Sequence, residues 1–180
     1  MKNNSAAKSI IVLVAICAFI AAAMAGVNML TSDRILENQI KKEQIALDEV
    51  LEDNGGFEKI ENIDALPESV VAIYRDLDGE GIAMILSAKG YDASNPISIA
   101  VGFDNDGNIT RCYVISATGE TKGIGSKVSD SSFLAQFGGK NDTNGVDTIS
   151  GATISSSAFV DAIADACETF ARVAEGEVAE

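Results

Sequence analysis

The sequence predicts an α+β protein: one N-terminal transmembrane helix, then a domain of antiparallel β-hairpins with flanking helices. Three observations carry this. No Lys, Arg, Asp or Glu falls between Lys8 and Asp33, across a run that is almost wholly apolar. Two pairs of β-rich runs then flank turns rich in Asp and Gly. Finally, Phe159, Ile163, Ala166, Cys167 and Phe170 recur at helical spacing between about Ser156 and Val173.

The 22 residues from Ser9 to Leu30 are apolar apart from Ser9 and Asn28. As a helix they reach roughly 33 Å, enough to cross a bilayer core. The basic start and Ala23-Met24-Ala25 also fit a cleaved signal peptide. A lipoprotein signal ending at Cys17 is rejected, because Ile16 stands where a small residue is needed. The run continues through Val27, Met29 and Leu30, longer than most signal cores, and this favours an uncleaved anchor. Lys2 and Lys8 precede the span, while Arg34, Lys41 and Lys42 follow it, so the positive charges nearly balance. A short basic N-terminus ordinarily stays inside while a long domain is exported, so the expected topology is N-in, domain-out.

Beyond the span, Ser32 or Asp33 is placed to cap a helix starting near Arg34. Leu36, Ile40, Leu47 and Leu51 recur at helical spacing, and Asn54-Gly55-Gly56 is the expected end. This helix reads as a stalk and no more. From Ser69 the pattern turns to strands: Val70–Tyr74 and Ile82–Leu86 around one turn, Ile97–Val101 and Ile109–Ile115 around another. Neither turn has the ligand spacing of a calcium loop, so both read as hairpins. Gly119 to Gly145 reads as loop, and the end of the chain as a frayed tail. The expected organisation is 1–8 cytoplasmic, 9–30 transmembrane, 31–56 stalk, 57–175 domain and 176–180 tail. About 150 residues beyond the span suffice for one domain with a real core.

Composition excludes several classes of chemistry. The chain has no His and no Trp, which removes Ser-His-Asp and Cys-His nucleophile systems and histidine metal sites. Two of its 13 basic residues precede the span and 11 follow it, while all 27 acidic residues follow it, so the soluble part carries −16. Such a domain does not suit nucleic acid. Cys17, Cys112 and Cys167 show no paired spacing and read as small buried hydrophobes; a Cys112–Cys167 disulfide outside the cytoplasm is the alternative, for which the sequence does not argue.

Two stretches carry chemistry. In Asp147-Thr148-Ile149-Ser150-Gly151-Ala152-Thr153-Ile154-Ser155-Ser156-Ser157, small and hydroxylic residues crowd a helix start. Free N–H groups and the helix dipole there suit an anion, most naturally a phosphate. A plain Ser-rich N-cap accounts for the same residues. Gly119-Glu120-Thr121-Lys122-Gly123-Ile124-Gly125-Ser126-Lys127 superficially resembles a phosphate loop, but Ser126 stands where that motif needs Lys. It reads either as a surface loop or as a glycine-rich wall that lets backbone approach a flat ring.

Asp147-x-x-Ser150-Gly151-Ala152-Thr153 resembles the flavinylation motif of the FMN-binding domain family, with every fixed position present. Glu120-Thr121-Lys122-Gly123-Ile124-Gly125 is similar to that family's Glu-Thr-Pro-Gly-Leu-Gly signature, with Lys122 for Pro and Ile124 for Leu. The whole layout resembles the RnfG-type branch of that family, which belongs to the Rnf-type ion-translocating oxidoreductases. The sodium-pumping NADH:quinone reductase contains a related component that shares both motifs.

The resemblance implies FMN as cofactor, joined to Thr153 through a phosphoester made by a separate FMN transferase. It implies cofactor contacts from Ser150, Gly151, Ala152, Ser155, Glu120, Thr121, Gly123, Ile124 and Gly125. Asp147 reads as structural or as a contact for the transferase, since a carboxylate would repel the phosphate. Lys122 beside the ring would favour an anionic reduced flavin; a solvated loop charge is the plainer reading. No residue is expected to be catalytic on its own and no metal is expected. The implied role is an electron-transfer station in a complex that passes electrons between ferredoxin and NAD and pumps Na⁺ or H⁺, with other membrane and peripheral subunits as partners. The alternatives are an anchored extracellular flavoprotein outside a pump and a tethered domain without redox function.

Overall fold

A computed structural model describes residues 3–52, 55–61, 63, 65–79 and 81–174. The chain divides into two compact units, one up to Lys41 and one from Lys42 onward.

The described part of the first unit is helix α1 (Asn3–Val50) as far as Lys41. Its apolar side chains from Ile10 to Leu30 are exposed, as a lipid-facing helix requires. The helix does not restart at Ser32 or Asp33. The Thr31 hydroxyl donates to Val27 O at 2.9 Å and the Ser32 hydroxyl to Met29 O at 3.4 Å, so both turn back on their own helix instead of capping a new one. No Gly or Pro between Val27 and Val50 interrupts the turns, and α1 continues without a break in the helix. It ends at Val50, short of the expected Asn54-Gly55-Gly56, of which Asn54 lies outside the described residues. The frayed tail lies outside them too.

The second unit is a five-stranded antiparallel sheet whose spatial order is its chain order. Its strands are β1 (Phe57–Ile60), β2 (Val70–Asp76), β3 (Gly81–Ala88), β4 (Ile97–Asp104) and β5 (Ile109–Ser116). The two expected hairpins are β2–β3 and β4–β5. Gly79 and Gly107 take φ of +79° and +82° in their turns, and each donates its N–H to the Asp at the end of the preceding strand. Burial works against the Asp104 charge, yet hydrogen bonds from Asn108, Asp106 and Gly107 outweigh it and hold the carboxyl below its usual range. Asp104 therefore organises its turn. Among the described residues no group of three or more His, Cys, Asp or Glu is placed to hold a metal. Strand β1 was not anticipated; it is short, and it exists through its pairing with β2.

Alternation sends two sets of residues to opposite faces. Met84 and Leu86 of β3 and Ile97, Ile99, Val101 and Phe103 of β4 face the main core. That core is closed by helix α3 (Thr153–Ala174) through Phe159, Ala162, Ile163 and Ala166. The glycine-rich segment expected to be loop contributes a 3₁₀ turn (Gly125–Ser129) and a short helix α2 (Ser131–Leu134). Val128, Phe133 and Phe137 anchor it in the core. The rings of Phe133 and Phe137 lie 5.3 and 5.4 Å from that of Phe159.

The other face carries Ala72, Ala83, Ile85 and Ala100, and the end of α1 packs on it through Ala46, Leu47, Val50 and Leu51. The helix after the span is thus more than a stalk: its last turns complete the domain. Small side chains let it lie close, and a Cβ at Gly102 would collide with Val50 O. Thr110 Oγ1 donates to Val50 O at 2.6 Å, and Arg111 to Glu49 O at 3.2 Å, satisfying carbonyls that a helix end leaves open. Arg111 also pairs with Glu52 at 2.8 Å.

Among the cysteines, Cys112 is buried and Cys167 half-buried, whereas Cys17, expected to be buried, is exposed on the apolar stretch of α1; all three are free thiols. Burial, and then the neighbouring Cys167, pushes the Cys112 thiol well up; burial, and then Asp142, raises Cys167 to about 11.

Candidate functional site

The site is built where α3 begins. Helix α3 starts at Thr153, three residues before the expected Ser156. A turn from Ile149 to Ala152 precedes it, closed by Ala152 N–H donating to Ile149 O at 2.9 Å. Gly151 takes φ of +80° there, the value that the third residue of a type II turn requires, and a Cβ on it would meet nothing within 4 Å. Ser156, buried, locks the turn to the helix: its Oγ accepts from Ile149 N at 3.1 Å and donates to Ala152 O at 2.9 Å.

The first helical bond runs from Ser156 N to Ala152 O. The N–H groups of Thr153, Ile154 and Ser155 therefore find no protein acceptor among the described residues. The open donors thus lie two residues earlier than a helix start at Ser155–Ser157 would put them, and only Ser155 is common to both sets. Thr153 itself is exposed, the first helical residue, with its hydroxyl beside those donors.

The Glu-Thr loop forms the facing wall. Ile124 and Ser126 donate their N–H groups to Thr121 O at 3.0 and 3.2 Å, and Gly123, at φ +76°, donates to Ser126 Oγ at 2.9 Å. A third segment, the β3–β4 connection, brings Tyr91. Together these enclose a cavity of about 400 Å³. Its lining comprises residues 151–155 from the helix start, Thr121, Ile124 and Gly125 from the loop, and Tyr91. The volume falls within the range of about 300–1,000 Å³ typical of small-molecule sites.

The structure thus gathers Thr121, Ile124, Gly125, Gly151, Ala152, Thr153 and Ser155 around one space, while Ser150, Gly123 and Glu120 do not line it. Ser150 and Gly123 are exposed beside it, within its two turns. The Glu120 carboxylate points inward and is buried: Oε1 accepts from Tyr91 N at 3.0 Å and Oε2 from the Ser155 hydroxyl. Lys122 is exposed and outside the lining. Asp147 has its backbone bracketed by the Gln136 amide, at 2.9 Å to its N–H and 3.3 Å to its C=O, while its carboxylate is exposed. Sequence reasoning missed Tyr91 and Ile154. Ile154 had a signal, an apolar residue directly after the attachment-like motif; a lone Tyr in a loop had none.

Among the described residues no charged side chain lines the cavity. An anion there is met by backbone N–H groups and the positive end of α3. Apolar Ile124, Ile154 and Tyr91 offer surface to a flat ring. A phosphorylated flavin fits this donor set: the open cradle at Gly151 admits its phosphate, and the uncharged walls suit its ring.

Comparison with known proteins agrees with this chemistry. The FMN-binding domain family matches residues 90–168, which include both walls of the cavity, Tyr91 and Thr153. The RnfG N-terminal region matches residues 1–50, the whole of α1. The G component of the ion-translocating oxidoreductase complex of Methanosarcina acetivorans is 30% identical over 178 residues, covering 89% of this chain and 92% of that protein. The apolar helix and this relative together point to a membrane-anchored protein. With an RnfG N-terminal region followed by an FMN-binding domain, and with likeness to this relative along most of its length, the chain belongs to the RnfG family of ion-translocating oxidoreductase components and carries an FMN-binding domain.

Proposed function

We propose that this protein is the covalent-FMN electron-transfer subunit of an Rnf-type ion-translocating ferredoxin:NAD oxidoreductase, with FMN held by a phosphoester on Thr153. The observation that carries the reading is the position of Thr153. It is the exposed first residue of α3, beside three N–H groups without protein acceptors among the described residues, on the wall of an uncharged cavity. A phosphoester there needs a hydroxyl, an accessible backbone and donors for the phosphate oxygens, and residues 151–155 supply all three. Bound FMN supplies one- and two-electron redox chemistry.

The chain's own residues bind and orient. The turn at Gly151 admits the phosphate and a modifying enzyme. The α3 N-terminus neutralises the anion without a lysine or arginine. Ile124, Ile154 and Tyr91 line the ring's side of the cavity. The Ser155 hydroxyl donates to Glu120, so its contribution to the phosphate is its backbone N–H. A separate FMN transferase makes the bond. The span holds the N-terminus in the cytoplasm and the domain outside the cell membrane, and other membrane subunits carry electrons to it.

The test is co-expression of the full chain with an FMN transferase, followed by denaturing electrophoresis and intact mass. Fluorescence that stays with the denatured band, a gain of one FMN less one water, and loss of both in Thr153→Ala are expected. An unmodified chain in the presence of an active transferase would overturn the reading.

A further inference from the structure

The carboxylate of Glu120 is the place where three separate parts of the site meet. It is 7% exposed, yet both oxygens are used: Oε1 takes the Tyr91 N–H from the β3–β4 connection, and Oε2 takes the Ser155 hydroxyl from the first turn of α3. The chain makes room for it. A Cβ at Gly90 would collide with Oε1, and a Cβ at Gly125 would lie 2.5 Å from Oε2 and 2.7 Å from Ser155 Oγ. Two glycines thus clear the space that this side chain fills. Each partner contributes to the cavity lining, while Glu120 does not.

We infer that Glu120 is a positioning residue: its buried carboxylate clamps the Tyr91 segment to the start of α3 and so sets the width of the flavin cavity beside Thr153. This rests on the reading that FMN binds there. Tyr91 is 69% exposed, its side chain standing free at the cavity mouth. The Glu120 hydrogen bond ties its backbone to the opposite wall. Removing the carboxylate frees the Tyr91 segment and leaves the Ser155 hydroxyl buried without its acceptor. A glutamine at the same place retains one acceptor for Tyr91, and its amide can donate to Ser155 Oγ once that hydroxyl rotates. The clamp therefore needs the shape and hydrogen bonding of the side chain more than its charge.

The chain has three tyrosines, Tyr74, Tyr91 and Tyr113, so ¹⁵N-tyrosine labelling of the full chain in lipid nanodiscs gives three amide signals. Amide exchange reads the clamp without flavin. In the parent, the Tyr91 amide is protected although its side chain is exposed. In Glu120→Ala its exchange accelerates by roughly tenfold or more, the size expected for loss of a hydrogen bond to a buried charged group. Tyr74, inside β2, keeps its protection. Flavin loading by the transferase falls with it, and Glu120→Gln restores both.

Tyr91 exchange or flavin loading unchanged in Glu120→Ala would overturn the inference. Should that variant lose Tyr74 protection and so fail to fold, Ser155→Ala decides: it removes one of the two bonds, and unchanged Tyr91 exchange there overturns the clamp. If the parent itself takes no flavin, the FMN reading fails, and the Tyr91 exchange alone decides the clamp.

Discussion

The hydroxyl of Thr110, on β5, donates to the carbonyl of Val50, the last residue of α1, at 2.6 Å. A side chain from the sheet thereby finishes the helix that carries the apolar span. Thr110→Val keeps the shape and removes the donor. It is expected to cost about 1 kcal/mol, the net worth of one such bond. Thermal unfolding of the chain in detergent, followed at the β-sheet signal, checks this; an unchanged midpoint would mean that water replaces the hydroxyl at no cost.

Gly151 separates conformation from space. A Cβ there meets nothing, but φ is +80°. Gly151→Val is expected to cost at least ~1–2 kcal/mol through strain alone, and Gly151→Asn much less, because Asn tolerates the left-handed region. Flavin loading should follow the same order. Equal loss in both variants would show instead that room for the phosphate or the transferase is what matters.

Ser156→Ala removes the oxygen that holds Ile149 N and Ala152 O. The Ile149 N–H loses its acceptor next to a buried site, with an expected cost of about 1–3 kcal/mol. The turn at Gly151 loosens, so the rate of flavin attachment should fall by more than stability does. Single-turnover loading measured beside a denaturant midpoint distinguishes the two effects.

Phe159→Ala opens the centre of the core, where the rings of Phe133 and Phe137 meet it. A loss of ~3–5 kcal/mol is expected. Because Phe159 lies on α3, flavin binding should be lost together with folding rather than before it, as read by parallel melting and fluorescence curves.

Cys167 gives a pH dependence. Its folded thiol is raised to about 11 by burial and then by Asp142, against an ordinary value of 9.0. Between those values the unfolded chain has released the proton and the folded chain has not, so unfolding gains. Stability should be flat below pH 9 and fall from pH 9 to 11, with buried Cys112 acting in the same direction. Cys167→Ser should flatten part of that slope. Alkylation of Cys167 at pH 8 should run about 100-fold slower than that of an open thiol.

The sheet was legible where β-branched runs flank an Asp-Gly turn, because such pairs hold their register locally. Strand β1 was not, because Phe57–Ile60 becomes a strand only against β2. The packing of α1 left a trace that went unread: Ala72, Ala83, Ala100 and Gly102 form a run of small residues on one face, and such a run is where a helix comes close. The attachment-like motif named Thr153 outright. The role of Glu120 could not be read, since a loop carboxylate reveals its direction only once Tyr91 and Ser155 have been brought beside it. The start of α3 is hidden in the sequence because Ser155 and Ser156 look like caps, yet the Ser155 hydroxyl serves Glu120, the Ser156 hydroxyl ties the preceding turn, and Ala152 closes that turn.

The sheet's spatial order, identical to its chain order, also sets a timetable. From β2 onward each strand has its neighbour already made when it leaves the ribosome, so the meander assembles from its beginning without waiting for distant segments. Tyr91 and Glu120 are produced before α3, the last element described. The residue proposed to receive the flavin arrives on the piece that closes the core, beside walls already standing. On the proposed reading, attachment at Thr153 would come late: only a chain whose final helix has docked presents a finished cavity.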